Sequence, residues 1–320
     1  MLIIINLKGV KSMAIFKIEK SKLISIQEKK ISLEKDIQKL TEENLETVLG
    51  YKFIASELKV DNFRFDTLAW NPETKSFIII EYKKDRNFSI VDQGFSYLSL
   101  LVNKKEFFLI EYFEHTKHNL SREEVDWSQS RVVFISPSFT QHQINSVNFK
   151  NMAFDLYEIK LFENNTVLFN QIEPADSSES IDLVMKDSKF ELVTKEIKNY
   201  SIDNLFKENW KESREVFDNL SERIVALDPN IKLSPTSGYV GCKIENFNVV
   251  DLHPHKSFIE LALLRVKPED LNDPEKKVRY QELSMKHWNK HVSIFKVSNI
   301  EDIDYAMILV RQVYKKFIKK

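Results

Sequence analysis

Apolar residues recur with two different periods in the first part of the chain, and the period identifies each element. Between residues 14 and 27 polar and apolar residues alternate, which predicts one or two strands. From Ser32 the apolar residues take helical spacing, and Gly50 is a suitable stop for that helix. The residues with this spacing are Leu33, Ile37, Leu40, Leu45 and Val48.

Strands and helices alternate from there to about residue 171. The turn Asn71-Pro72-Glu73-Thr74 folds one predicted strand back on the next. Residues 104–118 are predicted to be helical, although Phe107–Ile110 fits a strand equally well. The other strands are Lys52–Val60, Arg64–Trp70, Ser76–Lys83, Arg131–Ile135, Phe154–Leu161 and Val167–Gln171, and the other helices are Ile90–Leu101 and Thr140–Asn148. This order predicts an α/β fold with a mixed sheet flanked by helices.

The second half of the chain has a different pattern. Residues 173–189 are small and polar and form the best candidate linker. After a helical stretch to about Leu227, three strands and a closing helix are predicted, at Tyr239–Ile244, Phe247–His253, Phe258–Val266 and Asp302–Phe317. We therefore expect an upstream extension at 1–12, with Met13 as the start of the protein proper, a first domain at 13–172, and a smaller α+β domain at 190–320.

Composition excludes several classes of site. The chain has 320 residues, 42% of them hydrophobic and 23 of them Phe, which suffices for two domains with their own cores. Its five Gly are not arranged as a phosphate-binding loop or a dinucleotide fingerprint. A single cysteine, Cys242, excludes a disulfide framework and a cysteine zinc cluster, and its flanks predict a small core residue on a strand.

The net charge of −1 provides no long-range field that attracts nucleic acid. Binding to a polyanion would depend on local patches such as Lys83-Lys84-Asp85-Arg86, Lys104-Lys105 or the Lys-rich C-terminal end. Cations also suit the last turn of a helix, which is the simpler explanation of Lys315-Lys316 and Lys319-Lys320. No apolar run approaches the ~20 residues of a membrane span, and Leu2–Ile5 is too short for a signal-peptide core. We expect a cytoplasmic protein with no membrane partner.

One predicted strand pair carries charges where a buried sheet should exclude them. The apolar run Phe77–Ile80 predicts a strand buried on both faces, yet it continues into Glu81 and Lys83. Side chains alternate along a strand, so Glu81 and Lys83 point to one side, which Asp66 on the neighbouring strand can reach. Charges on a strand usually mark a solvated face, but buried charges are paired or bind metals. Two carboxylates and an ammonium group at one point predict a metal-dependent phosphodiesterase site.

These residues, with Gln93-x-x-x-Tyr97 downstream, resemble the motif of the PD-(D/E)-x-K nuclease superfamily. The glutamine segment is similar to that of its RecB-related branch, and the best overall match is to uncharacterised bacterial and archaeal proteins related to NucS-type endonucleases. The resemblance covers most of residues 30–170 and implies a restriction-endonuclease-like fold. Phe65 stands where many members have a proline that is dispensable in the family. The second half resembles a module of unknown function that often follows such a core.

The resemblance implies a role for each residue. Asp66, Glu81 and the main-chain carbonyl of Tyr82 would bind one or two Mg²⁺ or Mn²⁺ ions, and Lys83 would position or help to deprotonate the attacking water. Gln93 would contact the water, the phosphate or Lys83; alternatively, it is an ordinary polar residue at the start of a helix. Tyr97 either packs in the core or contacts phosphate.

In the family the first helix supplies a further acid, and by position this is Glu34. Asp36 and Glu43 are alternatives, and Glu46 is a weaker one. An acid at this place can also simply complement the helix dipole.

Four of the seven histidines lie in the second domain: His253, His255, His287 and His291. Imidazole binds zinc well, but a turn at Pro254 and packing of His287-Trp288 explain the same residues without a metal. A surface for nucleic acid or a partner, with Trp288, Lys286 and Lys290, is the favoured interpretation, although Trp is more often a core residue.

The charged cluster and the resemblance together predict an Mg²⁺-dependent endonuclease, and the resemblance implies that it hydrolyses phosphodiester bonds in DNA. The alternative is a catalytically inactive nuclease fold that binds nucleic acid or a protein, which the near-neutral charge supports. Activity on RNA, or on DNA ends and flaps, stays open because the phosphate chemistry is the same. A homodimer also stays open, since nucleases of this fold often dimerise and no sequence pattern marks a seam.

Overall fold

The computed structural model describes residues 2–5, 14–31, 33–84, 89–147, 152–172, 193, 196–198, 200–244, 246–285 and 290–318. The chain forms two compact units, one of Met1–Trp70 with Ser76–Ile197 and one of Asn71–Lys75 with Lys198–Lys320. The predicted linker at 173–189 lies outside the described residues.

The first unit begins with a small antiparallel sheet. Its strands are β1 (Leu2–Ile5), β2 (Ala14–Glu19) and β3 (Lys22–Ile26). The alternating segment predicted as one or two strands is therefore two, which join at Lys20 and Ser21, both with positive φ. β1 lies in the segment predicted as an upstream extension and pairs with β2 along its length.

A larger mixed sheet forms the centre of the first unit, with strand order β10-β9-β8-β7-β6-β5 and with β4 beside β9. β7 runs parallel to β8 and β8 parallel to β9, whereas the β5–β6 and β9–β10 pairs are antiparallel. The mixed α/β architecture predicted from the sequence is thus confirmed. The strands are β4 (Glu28–Lys29), β5 (Lys52–Val60), β6 (Phe63–Asn71), β7 (Ser76–Tyr82), β8 (Arg131–Ser136), β9 (Phe154–Phe162) and β10 (Val167–Ile172).

Strand β7 is buried along its whole length because both faces of the sheet are covered. Phe77 and Ile79 belong to one apolar cluster, and Ile78, Ile80 and Tyr82 belong to the other. This alternation places Glu81 on the side of the first cluster. The strand thus delivers a carboxylate into a largely apolar layer.

The helices of the first unit are α1 (Glu34–Glu43), α2 (Leu45–Leu49), α3 (Ile90–Asn103), α4 (Lys105–Thr116) and α5 (Gln141–Ser146). Single 3-10 turns lie at Arg122–Glu124 and Trp127–Gln129. The single first helix predicted from Ser32 to Val48 is wrong in one respect, since it breaks at Asn44 into α1 and α2. Gly50 ends α2 in the left-handed conformation, φ 73°, as its position predicted. Phe107–Ile110 is helical, not extended.

The second unit is one antiparallel sheet with strand order β11-β12-β13-β14-β16-β15. Its strands are β11 (Lys232–Pro235), β12 (Val240–Ile244), β13 (Phe247–Pro254), β14 (Ile259–Leu264), β15 (Arg279–Tyr280) and β16 (Val292–Val297). Its helices are α6 (Lys211–Val225) and α7 (Glu301–Ile318), with 3-10 turns at Ile202–Leu205 and Pro268–Asp270. The predicted three-strand meander corresponds to β12–β14.

Helices α6 and α7 pack on the sheet of the second unit. Phe217 and Leu220 of α6 share one apolar cluster with Leu261 of β14 and Leu309 of α7. Cys242 is fully buried in β12 within the same cluster, as expected of a core residue. Among the described residues, no helix is both long and apolar enough to cross a bilayer.

Candidate active site

The candidate site is built where β7 ends beside β6. The amide of Tyr82 donates to Oδ2 of Asp66 at 2.9 Å, which ties the carboxylate to the backbone between Glu81 and Lys83. The amide of Lys83 donates to the carbonyl of Ile135 at 2.9 Å, so the β7–β8 pairing extends beyond the end of β7. The backbone at this point is therefore held from both neighbouring strands.

Glu81 is the centre of the cluster. Its Oε1 accepts from Nζ of Lys83 at 2.6 Å and from Nε2 of Gln93 at 2.7 Å. Its Oε2 is buried and has no hydrogen-bond partner among the described residues. Buried carboxylate oxygens are almost always bonded. This oxygen is thus an acceptor that the folded chain leaves for a ligand.

Helix α3 supplies Gln93 from its first turns. The helix starts at the cap Ser89, whose Oγ accepts from the amide of Asp92. Besides Glu81, Gln93 Nε2 contacts the hydroxyl of Tyr97 at 2.9 Å, and that hydroxyl donates to the carbonyl of Arg64 at 2.9 Å. Tyr97 is buried, and burial raises the pKa of its phenol. Its hydroxyl is engaged inside the protein, so the packing alternative fits Tyr97 better than a phosphate contact.

Gly94 lets α3 lie directly against the sheet. A Cβ at this position would lie 2.6 Å from two ring atoms of Phe154 on β9. Contacts that short are not tolerated in a packed core, so a side chain here would displace either the ring or the helix. The close approach made possible by Gly94 brings the neighbouring Gln93 within reach of Glu81.

The electrostatics of the cluster favour a cation. Burial, and then the charge of Glu81, raise the pKa of Asp66 to about 7, while the Tyr82 amide and Lys83 oppose the rise. Two carboxylates and one ammonium group carry a net negative charge when ionised. A divalent cation would compensate that charge and bond the open oxygen of Glu81.

Among the helix acids, the structure brings Glu34 to this strand end. Its Oε2 accepts from the amide of Lys84 at 2.9 Å, one residue beyond Lys83. Asp36, Glu43 and Glu46 are exposed, and Glu43 lies 3.9 Å from Lys39 in a surface ion pair. The structure therefore places Glu34, and none of the three alternatives, against β7.

Two residues that sequence reasoning missed lie on the same face of α1. Glu34, Gln38 and Glu42 are spaced four residues apart and form a polar stripe toward the sheet. Gln38 Nε2 donates to the carbonyl of Asp66 at 3.3 Å, and Glu42 Oε1 accepts from Oγ1 of Thr67 at 2.5 Å. The polar stripe thus bonds the backbone at Asp66 and Lys84 and the Thr67 side chain beside Asp66. Its sequence signal is the spacing of four itself.

The side-chain oxygens of the cluster suit a hard cation that takes only one or two ligands from the protein. In the described part of the chain, no group of three or more His, Cys, Asp or Glu side chains is arranged to hold a metal ion. Asp66 and Glu81 supply carboxylate oxygens, one of them buried and unpartnered. Oxygen donors suit Mg²⁺ or Mn²⁺, and Mg²⁺ typically keeps several waters and takes one or two carboxylates.

The predicted basic patch Lys104-Lys105 is wrong for Lys105. Lys104 pairs with Asp61 at 2.9 Å, and Lys105 pairs with Glu196 at 2.5 Å with its ammonium 5.3 Å from the Trp127 ring. The Lys105 side chain is only 9% exposed, so it is not available to a polyanion. Of the patch that starts at Lys83, residues Asp85 and Arg86 lie outside the described residues.

The three described histidines of the second unit, His253, His255 and His291, contact aromatic side chains. The His253 ring lies 5.0 Å from that of Tyr239, and burial lowers its pKa to about 4. His291 Nδ1 lies 2.7 Å from the Tyr280 hydroxyl. The zinc hypothesis therefore gains no support from the described residues. His287 and the predicted surface residues Trp288 and Lys286 lie outside them.

Lys290, the third cation of that predicted surface, is described. Its Nζ donates to Oε2 of Glu73 at 2.8 Å, and its side chain is 15% exposed. It is a buried ion-pair partner and not part of a binding surface, so this prediction is wrong for Lys290.

Comparison with known proteins identifies the family. An uncharacterized protein of Haemophilus influenzae is 36% identical over 304 residues, which span 95% of this chain and 100% of that protein. The chain belongs to the family of this Haemophilus protein. No protein-family profile matches it.

Three solved structures are distantly similar, each at 12% identity. They are a repair endonuclease from Pyrococcus abyssi (51% of this chain, 74% of that one, TM-score 0.24), EndoMS in complex with dsDNA (49% and 64%, 0.24) and SfsA from Pyrococcus furiosus in complex with Ca²⁺ (54% and 89%, 0.25). With TM-scores this low, the chemistry proposed for the chain has to rest on its own side chains.

Proposed function

We propose that the chain is a metal-dependent endonuclease that hydrolyses phosphodiester bonds in DNA. The observation that carries the proposal is the cluster of Asp66, Glu81, Lys83 and Gln93, in which a buried carboxylate oxygen of Glu81 has no partner among the described residues. An inert buried cluster would satisfy that oxygen, because an unmade bond costs about 1–3 kcal/mol. DNA is the substrate that the motif resemblance implies.

Asp66 and Glu81 would hold Mg²⁺ or Mn²⁺, with the Tyr82 carbonyl and Glu34 as further oxygen donors. When bound, the ion would polarise the scissile phosphate and lower the pKa of a water. Lys83, 21% exposed and 2.6 Å from Glu81, can orient that water or donate to a phosphate oxygen. Gln93 holds Oε1 of Glu81, so that the opposite oxygen keeps a fixed direction.

One observation favours the competing function, an inactive nuclease fold that binds nucleic acid or protein. No group of three or more potential ligand side chains forms in the part of the chain that the structure describes. A two-carboxylate site binds metal more weakly than a larger set, and a binding protein needs no metal at all. Metal binding therefore separates the two functions.

Cleavage is the direct test. Purified protein would be incubated with single-stranded, duplex, flapped and mismatched DNA and with RNA, in Mg²⁺ or Mn²⁺, beside Asp66→Ala, Lys83→Ala and the exposed control Lys39→Ala. We expect metal-dependent cleavage of DNA that both site variants lose and the control keeps. Cleavage that survives both site substitutions, or no cleavage of any substrate, would contradict the assignment.

A second measurement works without turnover. Isothermal titration calorimetry with Mn²⁺ should detect binding to the wild type and none to Glu81→Ala. Equal binding by the two proteins would place the metal elsewhere and favour the inactive scaffold.

A further inference from the structure

The hairpin between β13 and β14 in the second unit presents a stack of rings. The amide of His255 donates to the carbonyl of Phe258 at 2.9 Å and closes the turn. The two rings stack with centroids 4.4 Å apart and planes at 16°. The ammonium of Lys296 lies 4.5 Å from the Phe258 ring centroid. Since His255 is exposed, the stack ends in an open aromatic face.

A groove of about 550 Å³ begins at this hairpin. It is lined by Phe258, Glu260, Lys276, Lys277, Arg279, Ile294, Phe295, Lys296 and Asp302. In the strand register, Glu260 is opposite Lys296 and Arg279 is opposite Ile294, so these side chains share one face of the sheet. The groove therefore runs along that face at the β15 edge.

Cationic side chains outnumber acidic ones along this groove. Within the described residues, Lys276 and Arg279 form no ion pair, and Lys277 pairs with Glu275 at 2.6 Å. Two acids also line the groove: Glu260, which lies opposite Lys296 in the strand register, and Asp302, which accepts from the amide of Ser298 at 2.8 Å. The groove thus carries four cations against two acids, and among the described residues Lys276, Arg279 and Lys296 form no ion pair.

We infer that this basic–aromatic surface (His255, Phe258, Lys276, Arg279 and Lys296) binds single-stranded nucleic acid. Cations along a groove track a phosphate backbone, and an exposed ring stack accepts unpaired bases. A duplex hides the faces of its bases, and an acidic peptide does not carry a ring with each charge, as a nucleic-acid strand does. The surface makes no use of Asp66, Glu81 or Lys83, so the inference goes beyond cleavage and holds whether or not the site in the first unit is active.

The test uses the full chain in EDTA, which prevents metal-dependent cleavage. Fluorescence anisotropy would measure the binding of a labelled oligothymidylate of about 20 nucleotides and of a labelled duplex. The charge variant is Lys276→Ala/Arg279→Ala/Lys296→Ala, and its matched control, Lys207→Ala/Lys211→Ala/Lys315→Ala, removes three exposed lysines elsewhere in the second unit. The stacking variant is His255→Ala/Phe258→Leu. Circular dichroism would verify that every variant is folded.

We expect the charge variant to weaken single-strand binding about tenfold or more and to lower the slope of log K against log salt by about 2, while the control stays within about threefold. The stacking variant should lose about tenfold for the single strand and little for the duplex. The inference would be overturned if the wild type did not bind the single strand, or if the control lost as much affinity as the charge variant. It would also be overturned if the stacking variant lost the same affinity for the single strand and for the duplex. Binding of an acidic peptide in place of DNA would also overturn it.

Discussion

Each unit contains a cluster of acidic and basic side chains, and the two clusters differ in how completely they are bonded. In the first unit, Glu81 has one oxygen bonded to Lys83 and Gln93 and one oxygen left open. In the second unit, Glu73 accepts from Arg265 at 2.9 Å through one oxygen and from Lys290 at 2.8 Å through the other.

The second cluster is also balanced in charge. Glu73 and the buried Asp251 face Arg265 and Lys290, two charges of each sign, and Asn248 donates to Oδ1 of Asp251 at 2.7 Å. The first cluster has two carboxylates and one ammonium group. The second cluster is thus balanced in charge, whereas the first has one carboxylate more than it has ammonium groups.

A raised pKa alone does not separate the two clusters. Burial is the largest cause in both cases, and it raises the pKa of Asp66 and of Asp251 alike to about 7. Structural ion-pair networks shift pKa values as catalytic sites do. The unpartnered oxygen and the uncompensated charge are what mark the first cluster as a candidate site.

The largest predicted effect separates the clusters by activity. Glu81→Gln removes the charged oxygen that the proposed metal needs and should reduce cleavage by about 10³-fold or more. Asp251→Asn keeps an acceptor for Asn248 and should leave cleavage within about threefold. Initial rates would be compared at a temperature where circular dichroism shows both variants folded. Similar losses in the two variants would erase the distinction between the clusters.

A stability measurement should instead detect the second cluster, which we expect to stabilise its unit. Lys290→Met leaves one oxygen of Glu73 without its cation in a mostly buried place and should lower the free energy of unfolding by about 3 kcal/mol. The exposed Lys315→Met should stay within about 0.5 kcal/mol. Urea denaturation followed by circular dichroism gives both values. If Lys290→Met and Lys315→Met unfolded at the same urea concentration, the second cluster would not stabilise its unit.

Asp66→Asn should stabilise the metal-free protein by about 1 kcal/mol at pH 8, because it removes a carboxylate held near Glu81 and keeps an acceptor for Tyr82. The folded-state pKa of Asp66 is raised to about 7, so the wild type loses stability as pH rises from about 4 to about 7. The advantage of the variant should therefore grow over that range and then level off. Thermal melts in EDTA over this pH range would test the prediction, with the exposed Glu163→Gln as the control. An Asp66→Asn protein less stable than the wild type at pH 8 would contradict it.

The last predicted effect, of about the same size, concerns the polar stripe. Gln38→Ala removes a donor to the Asp66 carbonyl and to Ser56 and should cost about 1 kcal/mol. Lys39 is the exposed neighbour of Gln38, and the control Lys39→Ala should change the free energy of unfolding by less than about 0.5 kcal/mol. Equal unfolding midpoints for the two variants would show that the stripe does not support β6.

Local patterns predicted the strand that carries the candidate site. The uninterrupted apolar run before Glu81 implies a strand covered on both faces, and the period of two places Glu81 and Lys83 on one side. Both features depend only on residues next to one another in the chain. The stop at Gly50 was predictable for the same reason, since it depends on one backbone conformation.

Contacts between distant residues were not predictable. Gln38 bonds Ser56 and the Asp66 carbonyl, and Lys105 bonds Glu196, 91 positions away. Nothing near Lys105 in the sequence indicates that it is buried, so the sequence alone predicts a surface cation. β15, only two residues long, owes its place to pairing with β16 rather than to its own pattern.

The missing side chain at Gly94 sets a limit on how the family can vary. The space between α3 and Phe154 has no room for one methyl group, so Gly94→Ala alone must either push the helix away or displace the ring. Displacing the helix would lengthen the 2.7 Å contact between Gln93 and Glu81 without touching either residue. A change at position 94 should therefore arise together with a smaller residue at 154, and in homologous sequences the two positions should covary.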